Sequence, residues 1–108
     1  MSLYSEKRKH LRIRRNFKTR VDIIRTQTEV EGITEDLSQG GAFISSLSWP
    51  VFQTNDQTTV RLFLPPEMTG QSRTLTLQGT AVVKRVESER AGVAVEFPKE
   101  LRTFEALW

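Results

Sequence analysis

The stretch TEVEGITEDLSQGGAFIS, residues 28–45, decides the fold, because it reads as two strands and the turn between them. Its first part, TEVEGITEDL (28–37), is rich in β-branched residues, which fit a pleated, half-buried surface. Val30 and Ile33 fall out of strict alternation across Gly32, which predicts a bulge at that glycine. Its last part, GAFIS (41–45), is a short apolar strand launched from a glycine pair. Between them, EDLSQGG (35–41) has the makeup of a tight turn. Asp36 and Ser38 can bond nearby backbone N–H groups, and Gly40-Gly41 can supply positive φ.

The same period recurs on both sides of this hairpin. TRVDIIR (19–25) is a strand candidate, and TTVRLFLP (58–65) alternates Val60, Leu62 and Leu64 until the prolines stop it. RTLTLQGTAVVKRVE (73–87) alternates Leu75 and Leu77, then passes Gly79 into an apolar stretch, as a long bent strand would. AGVAVEF (91–97) alternates Val93, Val95 and Phe97. SWPVFQTND (48–56), PPEMTGQS (65–72) and ESER (87–90) read as loops. After Pro98, residues Leu101, Phe104, Leu107 and Trp108 share one helical face, which predicts a short amphipathic helix over 98–108. Six closely spaced strands without βαβ alternation, followed by one helix, predict an all-β fold: a six-stranded antiparallel β-barrel with a short C-terminal α-helix.

At 108 residues, with 37% apolar and 27% charged residues, the chain suits one ordinary globular domain with a single core. The expected division is a disordered terminus or expression remnant over 1–6 and a single domain over 7–108. Within it, 7–18 is a flexible basic segment, 19–97 the barrel and 98–108 the helix. No apolar run is long enough to cross a bilayer, and no secretory pattern opens the chain. With no cysteine there is neither a disulfide framework nor a thiolate metal site, and a lone His10 cannot build a zinc site. These features fit a cytoplasmic protein with no cofactor and no membrane insertion.

The net charge of +3 is unevenly spread. KRKHLRIRRNFKTR (7–20) holds eight of the sixteen basic residues and no acid, so the remaining chain carries a net −5. The basicity is one local feature, and it points to an anionic partner near the N-terminus. Catalysis is poorly supplied: His10 reads as a solvent-facing neighbour of the arginines, and no phosphate-binding glycine loop is present. The pairs Glu29/Glu31 and Glu87/Glu89 read as solvated outer faces. The chain is not expected to be an enzyme.

Binding chemistry is better supplied. Arg8 and Arg12 are four apart, and a guanidinium fork matches phosphate oxygens or the O6/N7 edge of guanine. Asp36, at a strand end, can accept from N1–H and N2–H₂ of guanine, the edge opposite the one an arginine reads. The Ser38 hydroxyl can donate beside it, and the glycines let a flat base approach the backbone. The two motifs are complementary in chemistry.

Arg8-Lys9-His10-Leu11-Arg12 fits Arg-x-x-x-Arg, and Asp36-Leu37-Ser38-Gln39-Gly40-Gly41 fits Asp/Asn-x-Ser-x-x-Gly. In that order and about two strands apart, the pair resembles the PilZ domain, a bacterial receptor module for cyclic di-GMP. Val21 opening the first strand, Phe43 after the glycines, GTAVV from Gly79 and GVAVEF from Gly92 agree with it. The resemblance spans roughly residues 6 to 108.

The resemblance implies a six-stranded barrel with a C-terminal helix and a non-catalytic role in second-messenger signalling. Arg8 and Arg12 should hold guanine Hoogsteen edges and phosphates. Asp36 should hold a guanine Watson–Crick edge, Ser38 should contact the ligand beside it, and Gly41 should keep the surface open. The arginine segment should fold over the ligand as a switch, and the altered surface should engage an effector protein. Lys7, Lys9, Gly40 and Arg85 are secondary ligand candidates. Lys7 favours a stacked dimer of the dinucleotide. Arg85 stands near where family members place a large side chain against a guanine.

Arg14, Arg15 and Lys18 read as a field-generating face, Trp49 as loop packing and Trp108 as part of the helix's apolar face. The competing reading is a small barrel that binds RNA or single-stranded DNA nonspecifically through the basic arm. Against it stand the absence of a regular exposed aromatic stripe and the net acidity after residue 20. A third reading, a degenerate PilZ domain serving only protein interaction, is disfavoured by the intact Arg8, Arg12, Asp36, Ser38 and Gly41.

Overall fold

Alternating burial gives each strand one face for the interior, and closing the sheet on itself hides that face without a second layer. The computed structural model describes residues 16–38, 40–70, 72–99 and 102–105, the last four by backbone course alone. The strands are β1 (Phe17–Ile23), β2 (Thr28–Leu37), β3 (Gly41–Ser45), β4 (Gln57–Leu64), β5 (Leu75–Glu87), β6 (Gly92–Glu96) and β7 (Arg102–Glu105). Around the barrel the order is β1-β2-β3-β6-β5-β4, and β4 closes it by pairing with both β1 and β5, every pairing being antiparallel. The protein is therefore an all-β, closed six-stranded antiparallel barrel. Among the described residues the only α-helical segment is α1 (Pro66–Thr69), which ends on Gly70 at φ +76°.

Val21, Ile23, Val60, Leu62, Val83 and Val93 are completely buried within the barrel. Each contributes roughly 1.5–3 kcal/mol by leaving water. Phe17, Leu37, Phe52, Leu64 and Phe97 complete the same cluster. Most buried polar side chains are paired, as burial favours, the Thr76 hydroxyl being an exception. The Thr19 and Thr34 hydroxyls hydrogen-bond each other, and Thr58 Oγ1 donates to the Ala81 carbonyl at 2.8 Å.

Three expectations change. The helix over 98–108 is replaced, where that segment is described, by strand β7, whose residues pair with Leu75–Gln78 of β5. The cause lies in β5, which outruns β6: β6 pairs only with Val82–Glu87, leaving the first half of that edge with unmet backbone groups. Four residues of added strand pair with Leu75–Gln78 of that stretch, while the helical spacing from Leu101 to Trp108 says nothing about that edge. Leu101, Leu107 and Trp108 themselves lie outside the described residues.

The bulge also moves. Gly32 stays in register opposite Thr19, and the shift in β2 falls between Thr34 and Asp36. Thr34 is fully buried whereas Ile33 is 38% exposed, so hydrophobicity misreads which of the two faces inward. Nor do Gly40 and Gly41 adopt positive φ: Gly70 is the only described glycine that does. Gly41 is needed for a different reason, because a Cβ there would run into the backbone carbonyl of Val95.

Candidate ligand-binding site

Two bulges build the site. In β2 the register shift makes Glu35 the extra residue, and in β5 a shift between Val83 and Arg85 makes Lys84 the extra one. Each bulge lets an apolar residue return to the interior, Leu37 in one strand and Val86 in the other. Each also turns a charged residue outward, Asp36 in one case and Arg85 in the other.

The result is a row of opposed residues across four strands: Asp36 with Phe43, Phe43 with Ala94, and Ala94 with Arg85. Directly opposed residues share a face of the sheet, with Cβ atoms about 5 Å apart. Their chain neighbours Leu37, Ile44 and Val93 belong to the core and Val86 packs against it, so this row lies on the outside of the barrel.

A shallow depression of about 240 Å³ follows the row, lined by Asp36, Ser38, Gly41, Phe43, Lys84, Arg85, Arg90 and Ala94 among others. Asp36 and Ser38 are half-buried there. The turn is held by Ser38, whose N–H donates to the Gly41 carbonyl at 2.9 Å and whose hydroxyl reaches the same oxygen at 3.4 Å. The N–H of Phe97 donates to the Gly40 carbonyl at 2.9 Å, pinning the turn to the end of β6. Arg85 Nε donates to Glu87 Oε2 at 3.1 Å, and Lys84 pairs with Glu96 at 3.6 Å.

Four sequence candidates, Asp36, Ser38, Gly41 and Arg85, thus meet at one place. Gly40 is exposed beside them, and nothing approaches within 4 Å of where its Cβ would be. Arg8, Arg12, Lys7 and Lys9 lie outside the described residues. Trp49 is half-buried in a short 3₁₀ turn (Trp49–Val51), away from this depression.

Arg90 was not among the sequence candidates. Its guanidinium carbon lies 3.6 Å from the centroid of the Phe43 ring. Phe43 is only 5% exposed although it points away from the interior, and it is absent from the core cluster. Its ring edge packs on Gly92, where an added Cβ would come within 2.7 Å of Cε2 and Cζ. Arg90 also stands 3.7 Å from Glu35 and 3.6 Å from Glu87. The 3₁₀ turn Ser88–Arg90, closed by Ala91 at φ +51°, brings it back over β6. ESER alone carries no sign of this; the register of Glu87 opposite Gly92 does.

A larger groove of about 640 Å³ runs over the outside of β1 and β2, lined by Lys18, Arg20, Glu31, Ile33, Leu47 and others. Arg20 there is engaged by Glu29 and Glu31, and no carboxylate–hydroxyl–glycine turn faces it. The smaller depression has the chemistry.

The sequence matches the PilZ domain family model over residues 6–106. Among solved structures, the fold is similar to the Bacillus subtilis inhibitor of motility MotI/DgrA, with a TM-score of 0.68 and 19% identity over 89% of this chain. This chain spans 44% of that protein's length. It is also similar to the PilZ domain of CeSA from a cellulose synthesizing bacterium, with a TM-score of 0.60 and 24% identity over 83% of this chain and 82% of that one. No curated protein matches the sequence. Nearly the whole chain is covered by the family model, and the chain belongs to the PilZ domain family, a family of cyclic di-GMP receptors.

Proposed function

We propose that the chain is a non-catalytic receptor that binds cyclic di-GMP in the depression around Asp36 and passes the signal on by folding its Arg8–Arg12 segment over the ligand. The observation that carries this reading is the meeting of Asp36, Ser38, Gly41 and Arg85 on one outer face in a member of this family. Asp36 accepts from the Watson–Crick edge of a guanine, and the Ser38 hydroxyl contacts the ligand beside it. Arg8 and Arg12 take Hoogsteen edges and phosphates, which a guanidinium fork fits in bidentate fashion. The family is regulatory and non-catalytic, so the output is a changed surface that an effector protein reads.

Titration calorimetry with cyclic di-GMP tests the reading and gives the stoichiometry, two per domain if Lys7 helps to hold a stacked dimer. A thermal shift gives an independent check. Ligand at 100-fold over its dissociation constant stabilises by about 2.7 kcal/mol. Absence of both heat and shift at micromolar cyclic di-GMP would refute the proposal.

A further inference from the structure

We infer that Arg90, held flat by Phe43, is a base-stacking platform of this site: its open face takes the guanine whose edge Asp36 holds. The inference rests on the receptor reading and assigns a residue that neither binding motif contains.

Three observations carry it. First, the guanidinium lies over the Phe43 ring at 3.6 Å, so one face of its plane is covered by an aromatic. The Arg90 side chain nevertheless remains 50% exposed. A planar, weakly hydrated cation with one face covered offers the other to a flat ligand. Second, Phe43 is the cross-strand partner of Asp36, and Asp36 and Arg90 line the same depression. A purine whose edge meets Asp36 therefore lies one side chain away from the Arg90 plane.

Third, the local charges separate stacking from phosphate binding. Arg90 stands between Glu35 and Glu87, and Arg85 is also engaged by Glu87. These four groups sum to zero, so the cluster gives a phosphate little attraction and two carboxylates to avoid. The Arg90–carboxylate distances of 3.6 and 3.7 Å are ion pairs too long for hydrogen bonds. Glu35 stands by one terminal nitrogen and Glu87 by the other, which holds the guanidinium over Phe43. A neutral base has no charge penalty there, and stacking on a planar side chain tolerates any purine face. The side chain at 85 is thereby left to reach the rim of the same depression.

Substitution at Arg90, with binding followed by calorimetry and by the Arg90 Nε–Hε NMR resonance, tests the inference. Arg90→Lys keeps the charge and loses the plane, while Arg90→Trp keeps a plane and loses the charge. The expected result is cyclic di-GMP affinity about 10-fold or more weaker for Arg90→Lys, and within about threefold of wild type for Arg90→Trp. In the wild type the Hε resonance, assigned by its loss in Arg90→Lys, should move upfield as the ligand's ring current reaches it. Melting temperatures without ligand identify any variant that has lost its fold. Wild-type affinity in Arg90→Lys, or an unmoved Hε resonance at saturation, overturns the inference and leaves the receptor reading standing. No binding by the wild type overturns both.

Discussion

Arg25 grips Asp56 with both arms of its guanidinium: Nε donates to Oδ1 at 2.7 Å and Nη2 to Oδ2 at 3.1 Å. The Gln53 N–H donates to Oδ2 at 2.8 Å, and Arg25 Nη2 also reaches the Val51 carbonyl at 3.2 Å. Together these bonds tie the β1–β2 turn to the loop before β4. The carboxylate is 4% exposed, and the hydrogen bond from Arg25, more than burial opposes it, holds its pKa below the usual carboxylate range. A depressed pKa in the folded state contributes stability above the unfolded value and loses it as pH falls through the folded one. Asp56→Asn should therefore lower stability at neutral pH by about 2 kcal/mol, or about 10 °C in melting temperature. The difference from wild type should begin to shrink below about pH 4, where the unfolded carboxylate takes up its proton, and vanish once the native one is protonated too. Thermal melts of both proteins between pH 3 and 7 check the size and the direction.

Asp36 stands outside the core, so its removal should separate binding from folding. A carboxylate facing N1–H and N2–H₂ makes two charge-assisted hydrogen bonds, each worth about 1.5–3 kcal/mol. Asp36→Ala should weaken cyclic di-GMP binding by about 100-fold or more while leaving the melting temperature within a few degrees. Calorimetry beside circular dichroism reads both. Undiminished affinity would remove Asp36 from the site.

Gly41 should behave in the opposite way. It belongs to the binding motif, yet its lack of a side chain serves the approach of β3 to β6, where the Val95 carbonyl occupies the space of a Cβ. The obstacle is backbone, which cannot swing aside as a side-chain tip would. Gly41→Val should cost about 3 kcal/mol or more of stability, so lost binding in that variant reports lost structure. Gly40→Ala, with open space around it, should fold as the wild type does. Urea denaturation of the two variants makes the comparison.

The six barrel strands were legible because Val21, Val60 and Leu62, Val93 and Val95 repeat at period two with turn residues between them. The turn from Asp36 to Gly41 was legible because its chemistry is local. The two bulges were not. Thr34 faces inward opposite the Thr19 hydroxyl and Ile33 faces out, so reading apolar residues as interior shifts the break to Gly32. β7 was missed because the edge it completes belongs to β5, a strand far from it in the chain. Arg90 was missed for the same kind of reason: its plane is set by Phe43, Glu35 and Glu87 through the pairing of β2, β3, β5 and β6. Pairing across strands is what a single sequence shows least.

Salt dependence should divide the basic segment into clamp and field. If Arg8 and Arg12 hold the guanines and phosphates directly, Arg8→Ala and Arg12→Ala should each weaken cyclic di-GMP binding by about 10-fold or more at every salt concentration. If Arg14 and Arg15 contribute only to the field, Arg14→Ala and Arg15→Ala should behave differently. Their effect should stay within about threefold at low salt and vanish near 0.5 M, where screening reaches only about 4 Å. A ligand with two phosphates limits the slope of log affinity against log salt to about −2, whereas a polynucleotide engaging most of the eight cations between 7 and 20 should give about −5. Calorimetric titrations at 0.05, 0.15 and 0.5 M salt, with a single-stranded oligonucleotide in parallel, measure both slopes. A steep slope that is the same in wild type and Asp36→Ala would mean that the basic arm grips a polyanion, independently of the depression beside β3. A shallow slope, with Arg12 and Asp36 both required, would place one dinucleotide-sized ligand between them.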